Sequence, residues 1–163
     1  MNEAIVQFFS GFPHWLATIL MAATPIGELR LAIPVAILGY KMNIAWAFLW
    51  VIIGNTIPVV FLILLSAPLN RWLEKKTGFF GNAWANYLAR VRKKFDGTYE
   101  KYGLIGLAIF VGIPLPMTGA WSGAIAAFIF GLPGLKATAA IFVGIIISAV
   151  ITTLVTVTAG QIF

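Results

Sequence analysis

The chain has 163 residues, enough for one domain; 61% of them are hydrophobic and only 10% are charged. Soluble domains carry about 25% charged residues, so this composition excludes a water-soluble globule and leaves an integral membrane protein. Counterion release on nucleic acid would account for the net charge of +6 but not for the rest of the chain, and nucleic acid is not an expected partner.

Five apolar blocks follow one another along the chain. The first, at 4–23, is interrupted by "SGFPHW". It carries Glu3 where a signal peptide has positive charge, so a cleaved leader is not expected. It is long enough to cross a bilayer, but re-entry is the alternative. The stretch "ATPIGELRLAIPVAILGYK" (22–41) then sets Glu28 and Arg30 two residues apart between Pro25 and Pro34. The block after them, 31–40, has ten residues, and a spanning helix needs about 20, so it cannot cross.

The uncharged block at 43–65 and the last one at 137–160 are long enough, and both are predicted to span. Asn55 and Pro58 are expected to interrupt the first of these. An asparagine there needs a hydrogen-bond partner and serves more often as interhelical glue than as a ligand. In the last helix Gly144 and Ser148 form a close-packing pair of small residues.

The fourth block, 104–131, is divided by "GIPLP". Pro114 and Pro116 cannot both sit inside one helix. It therefore forms a helical hairpin with its turn at 114–119, as the first two blocks do at 25–30. Non-helical backbone at membrane depth survives only when covered by protein or facing a water-filled cavity. The two turns should then meet each other or share a cavity, with Pro25, Gly27, Pro34, Pro114, Pro116 and Gly119 shaping them.

Hairpin, span, basic segment, hairpin, span is a repeated order, with half-repeats of about 1–70 and 71–163 in one membrane domain. At an offset of 92, Gly27 falls on Gly119, Ala32 on Ala124, Ile33 on Ile125 and Gly39 on Gly131. One crossing per half makes the repeat inverted. The fold class is thus an all-α inverted repeat of re-entrant hairpin plus spanning helix. Between the halves, 71–101 holds eight basic residues against three acidic ones, a net +5. That bias places it in the cytoplasm, at an inner membrane crossed more than once. Trp84, Tyr87, Leu88 and Val91 recur there at helical spacing, as in an amphipathic helix lying on the membrane surface.

Glu28 and Arg30 are the ionisable groups that need explaining, since a charge near the bilayer centre costs at least about 2.5–3.5 kcal/mol. A partly desolvated Glu28 has a raised pKa and can carry a proton. Arg30 stays charged and offers a planar fork suited to phosphate. Thr118, Trp121 and Ser122 at the second turn supply hydroxyls and an amphipathic ring. The alternative is a structural ion pair that locks the turn. His14 stands alone, so no metal site is expected. Trp15, Trp46, Trp50, Trp72 and Trp84 fit an interfacial aromatic belt. With no cysteine, no nucleophile motif, no P-loop and no paired carboxylates, neither a cofactor nor an enzyme is expected.

"GELRLAIPVAILGY" together with "IPLPMTGAWSGA" resembles the small multidrug export family, distant relatives of the DedA/VTT membrane proteins. The resemblance implies two re-entrant hairpins facing one another and the handling of lipids, such as an undecaprenyl phosphate carrier. Glu28 matches the acidic residue of the first hairpin and Arg30 an arginine of the small-export branch. DedA proteins carry further arginines in the second hairpin; "PMTGAWSG" has none. The expected function is a proton-coupled secondary transporter or flippase for an amphiphile, either an anionic, phosphate-bearing lipid or a drug-like compound. Its partners are membrane lipids, that substrate and further copies of itself. The alternative is a membrane scaffold or assembly factor with a structural Glu–Arg lock.

Overall fold

The computed structural model describes residues 11–75, 86, 97–115 and 118–162, and within them every regular element is helical. Helices α1 (His14–Ala23) and α2 (Glu28–Pro34, continued by a π-helical turn at Val35–Gly39) form a first helix pair, followed by the long α3 (Ile44–Lys75). Helices α4 (Gly97–Gly112) and α5 (Ala120–Ile129) form a second pair, followed by the long α6 (Gly134–Ile162).

Two segments are long and apolar enough to cross a membrane, Ile44–Ser66 and Gly134–Gly160, with only 28% and 33% of their apolar windows buried by the protein. A core helix of a soluble protein would be mostly buried. Here large side chains such as Phe61, Leu64 and Leu154 stay more than 60% exposed, as hydrocarbon-facing residues do.

The elements depart from expectation in three places. Helix α3 runs unbroken through Asn55, Pro58 and Pro68. Proline removes one N–H donor, but in a packed apolar helix the neighbouring elements hold the backbone in line. The first turn is shorter than expected: α1 ends at Ala23 and α2 begins at Glu28, so Arg30 is helical. Of the surface helix expected at 82–103, residues 97–103 belong to α4, and the rest, Asn86 aside, lies outside the described residues, as do residues 4–10 of the first block.

Local chemistry explains the first turn. Thr24 precedes Pro25 and is therefore extended (φ −78°, ψ 144°), because proline disfavours helical backbone in the residue before it. The Thr24 hydroxyl donates to the Met21 carbonyl at 2.8 Å and accepts from Gly27 N–H at 3.2 Å. The chain is thereby folded back on α1. After Pro34, the Tyr40 N–H reaches Val35 carbonyl at 2.8 Å, an i to i+5 bond.

The two halves exchange partners in matching ways. Helix α1 packs on α3 and α4 on α6; in turn α2 packs on α6 and α5 on α3. Glycines set the closest approaches. A methyl at Gly54 would meet Ala22 Cβ at 2.9 Å and collide with the Ile19 carbonyl, and one at Gly144 would meet the Ala108 carbonyl and Val111 Cβ, both at 2.7 Å.

These contacts fix depth. Gly54 is at the middle of the Ile44–Ser66 span, and the first turn begins just past the residues touching it. On the other side Ile147, at the middle of Gly134–Gly160, packs within 3.2 Å of where a Gly112 Cβ would stand, just before the second turn. The first pair opens where α3 starts and α6 ends, with His14 stacked on Tyr40 at 4.5 Å and Leu38 against Gly160. Trp15, Trp46 and Trp50 cluster at that same end, called here the first face. The second pair opens at the opposite end, the second face, with Gly103 near Leu132 and Gly134 near Ile63.

Candidate functional site at the meeting of the two turns

The two turns meet between the middles of the two long helices. The Glu28 carboxylate lies directly over the α-carbon of Gly119, where a Cβ would overlap it. It accepts the backbone N–H of Trp121, in the first turn of α5. This is an N-cap supplied from another helix: Gly119 has no side chain to cap with, and the exposed N–H groups and positive dipole end of a helix favour a carboxylate. Glycine is required at 119 by that close approach.

Glu28 itself has φ +45°. A non-glycine residue in this left-handed region costs about 1–3 kcal/mol and persists only where its surroundings hold it. Its side chain is 8% exposed.

Arg30 is one side of a second tie. Its Nη2 donates to Thr118 Oγ1 at 3.1 Å. That hydroxyl also accepts from Leu115 N–H at 3.2 Å and donates to the carbonyls of Ile113 and Leu115 at 2.7 and 2.8 Å. Thr118 thus knits the non-helical second turn together and anchors Arg30 to it. The third tie is Trp121 Nε1 donating to the Ala23 carbonyl at 3.0 Å. Ser122 spends its hydroxyl on the Gly119 carbonyl at 3.0 Å.

Glu28, Arg30, Thr118, Trp121 and Gly119, named from the sequence, are therefore brought together, with Gly27 at the base of the first turn and Ser122 beside the second. Pro25 sits exposed on the first turn, Pro34 ends α2, and Pro114 flanks the second turn. Pro116 lies outside the described residues. Asn55 is fully buried, yet neither its amide nitrogen nor its oxygen has a hydrogen-bond partner; the interhelical bond expected of it is not made among the described residues.

Sequence reasoning did not find the capping of α5 by Glu28, nor the close packing at Gly54. The glycines were visible, but a contact between residues 91 apart has no local signature.

The Glu28–Arg30 pair is left incomplete. Arg30 Nη1 stands 3.7 Å from Glu28 Oε2, beyond hydrogen-bond reach. Glu28 Oε2 and Arg30 Nε are both buried without a hydrogen-bond partner. Chemically this is a carboxyl able to gain or lose a proton beside a guanidinium edge with spare donor capacity. Among the described residues no three His, Asp or Glu side chains gather as metal ligands do. An apolar cavity of about 510 Å³ between α4 and α5, lined by Tyr102, Phe110 and Phe130, lies toward the second face, away from this junction.

Two helices long and apolar enough to cross a membrane, with a buried charged junction where two turns meet between them, fit a small helical membrane protein. Residues 28–151 match the family described as "Putative small multi-drug export protein", and the chain belongs to that family. The match starts at Glu28, directly after the first turn, and takes in the second turn. No curated protein and no solved structure is significantly similar to the chain.

Proposed function

We propose that this protein is a proton-coupled secondary transporter or flippase for an amphiphile with an anionic, phosphate-bearing head, and not an enzyme. Its working site is the junction of the two turns. Glu28 takes up and releases the proton, and Arg30 anchors the anion. The observation that carries this reading is the unspent capacity of the pair. A finished structural lock would close the ion pair with two parallel hydrogen bonds, whereas here Glu28 Oε2 and Arg30 Nε have no such partner and stand in a buried setting. Burial of an incomplete pair is costly and is retained where the groups must change partners during work.

The architecture behind this reading is an inverted repeat in which each helix pair re-enters the membrane from its own face. Element starts support it: α2 at 28 and α5 at 120 differ by 92, α3 at 44 and α6 at 134 by 90. At the latter offset Gly54 corresponds to Gly144, each receiving the preceding helix of its own half. The symmetry breaks at the site, since Ile33 is buried while Ile125, its counterpart, is 49% exposed. The excess of basic residues in 71–101 supports a cytoplasmic second face at an inner membrane. The short second turn without arginines makes the binding site one-sided, with the charge all from the first turn. Self-association covers the exposed turn residues, among them Ile26 at 86%.

A second reading, a non-transporting scaffold, draws support from the ties of Trp121 to Ala23 and Arg30 to Thr118, which fasten the turns together. The test is movement of labelled polyprenyl phosphate in proteoliposomes against pH, for wild type, Glu28→Gln, Arg30→Lys and Arg30→Ala. Transport requires pH-dependent movement that is lost in Glu28→Gln and weakened in binding by both arginine variants. No movement with every sample folded would remove this lipid as substrate and favour drug export or the scaffold.

A further inference from the structure

The buried polar atoms of this protein are distributed to one side. Among the described residues, those without a hydrogen-bond partner belong at mid-depth to Glu28, Arg30, Asn55 and Ser148, and nearer the first face to Thr152, Thr153 and Tyr40. Toward the second face the hydroxyls of Ser66 and Thr138 are each spent on the carbonyl three or four residues earlier in their own helix, as are those of Thr56 at mid-depth and of Thr18 and Thr156 on the first side. The buried face of α6 toward the second face is Ala137, Ile141 and Ile145; beyond mid-depth Ser148, Thr152 and Thr156 share it with Ala149.

Depth follows from contacts already described. Leu38 touches Gly160, and α2 with its π turn runs alongside α6. Counting back from that contact at 1.5 Å per residue places Ser148 about 18 Å below the first face, at the level of Glu28. Thr152 and Thr156 stand on successive turns above it on the same face of α6. Hydroxyls in apolar helices ordinarily bond back to the i−4 carbonyl, as Thr156 does to Thr152 at 2.8 Å. Ser148 and Thr152 do not, though they are 1% and 9% exposed. Buried polar groups are almost always satisfied by protein or water, and polar sites, unlike apolar ones, hold water.

We propose that the Ser148–Thr152 stripe of α6, with Asn55 at the depth of its inner end, is a water route joining the Glu28–Arg30 junction to the first face, and that the described residues offer no equivalent route to the second face. The route gives Glu28 its proton and the polar head its access from the side on which α3 begins, while the Ala137–Ile141–Ile145 surface seals the other half. This takes the junction as the working site, as above, but water access is measured without transport.

The natural chain has no cysteine, so single cysteines report directly. Ser148→Cys and Ile145→Cys form a matched pair, 12 and 11 residues from the respective ends of the Gly134–Gly160 span; Thr152→Cys and Ile141→Cys form another, 8 and 7 residues from those ends. Each would be reacted with a small charged methanethiosulfonate, and separately with silver ion, in open membrane sheets that expose both faces. Ser148→Cys and Thr152→Cys should react at least tenfold faster than their partners. Equal rates within a pair, or no reaction at either stripe position in protein that elutes as wild type, would overturn the route. Thr156→Cys against Ala137→Cys gives the same comparison nearer the surfaces if a deeper variant fails to fold. A reactive stripe in protein that moves no lipid would uphold the route and remove the phosphate-bearing lipid as its substrate.

Discussion

Gly119→Ala isolates the contact on which the junction is built. The backbone at 119 (φ −89°, ψ −165°) is extended, so alanine adopts it without strain. The added Cβ, however, falls on both oxygens and the carboxyl carbon of Glu28, so no rotation of the carboxylate relieves it. The carboxylate must leave the N-terminus of α5 and lose the Trp121 N–H. A hydrogen bond to a charged group is worth about 1.5–3 kcal/mol. At about 2–4 °C per kcal/mol for a chain of this size, the midpoint of thermal unfolding in detergent should fall by about 3–12 °C. In a Glu28→Ala background the same substitution has nothing to strike and should cost about 0.7 kcal/mol, the ordinary preference of an N-cap for glycine over alanine. Tryptophan fluorescence follows both, since Trp121 reports from the junction itself. An equal cost in the two backgrounds, or none in wild type, would refute the trans cap.

Further outcomes follow from the same geometry. Asn55→Leu replaces an unsatisfied buried amide, whose burial costs about 1–3 kcal/mol, with an apolar side chain of similar size. The unfolding midpoint should hold or rise while flux is lost, and a large destabilisation would show that Asn55 has a partner after all. Gly54→Ala and Gly144→Ala each force a helix of the first or second pair away from its long neighbour, at about 1–3 kcal/mol by overpacking, and their midpoint shifts should be similar if the halves are equivalent.

Much of the architecture could be read from local chemistry. Block length against bilayer thickness identified both spans, and paired prolines identified the second turn, because such constraints act over a few residues. The position of Glu28 and Arg30 also followed, since two charges in an apolar stretch require a polar counterpart. The exact start of α2 did not follow from the sequence, and Pro58 proved too weak to break α3 once neighbouring helices enclosed it.

Tertiary structure decided what each side chain does. The Thr118 hydroxyl, the Trp121 indole and the Ser122 hydroxyl were available in the sequence as ligands for a substrate; the fold spends all three on backbone and on Arg30. Gly119 was a turn residue by sequence and became the seat of a carboxylate from 91 positions away. Hydropathy is summed along one segment, whereas a hydrogen bond across the turns depends on where two segments are brought by the helices between them. The sequence alone therefore determined that a charged pair sits within an apolar stretch, and the packing of α2 against α6, with the meeting of the two turns, decided that the pair is left incomplete.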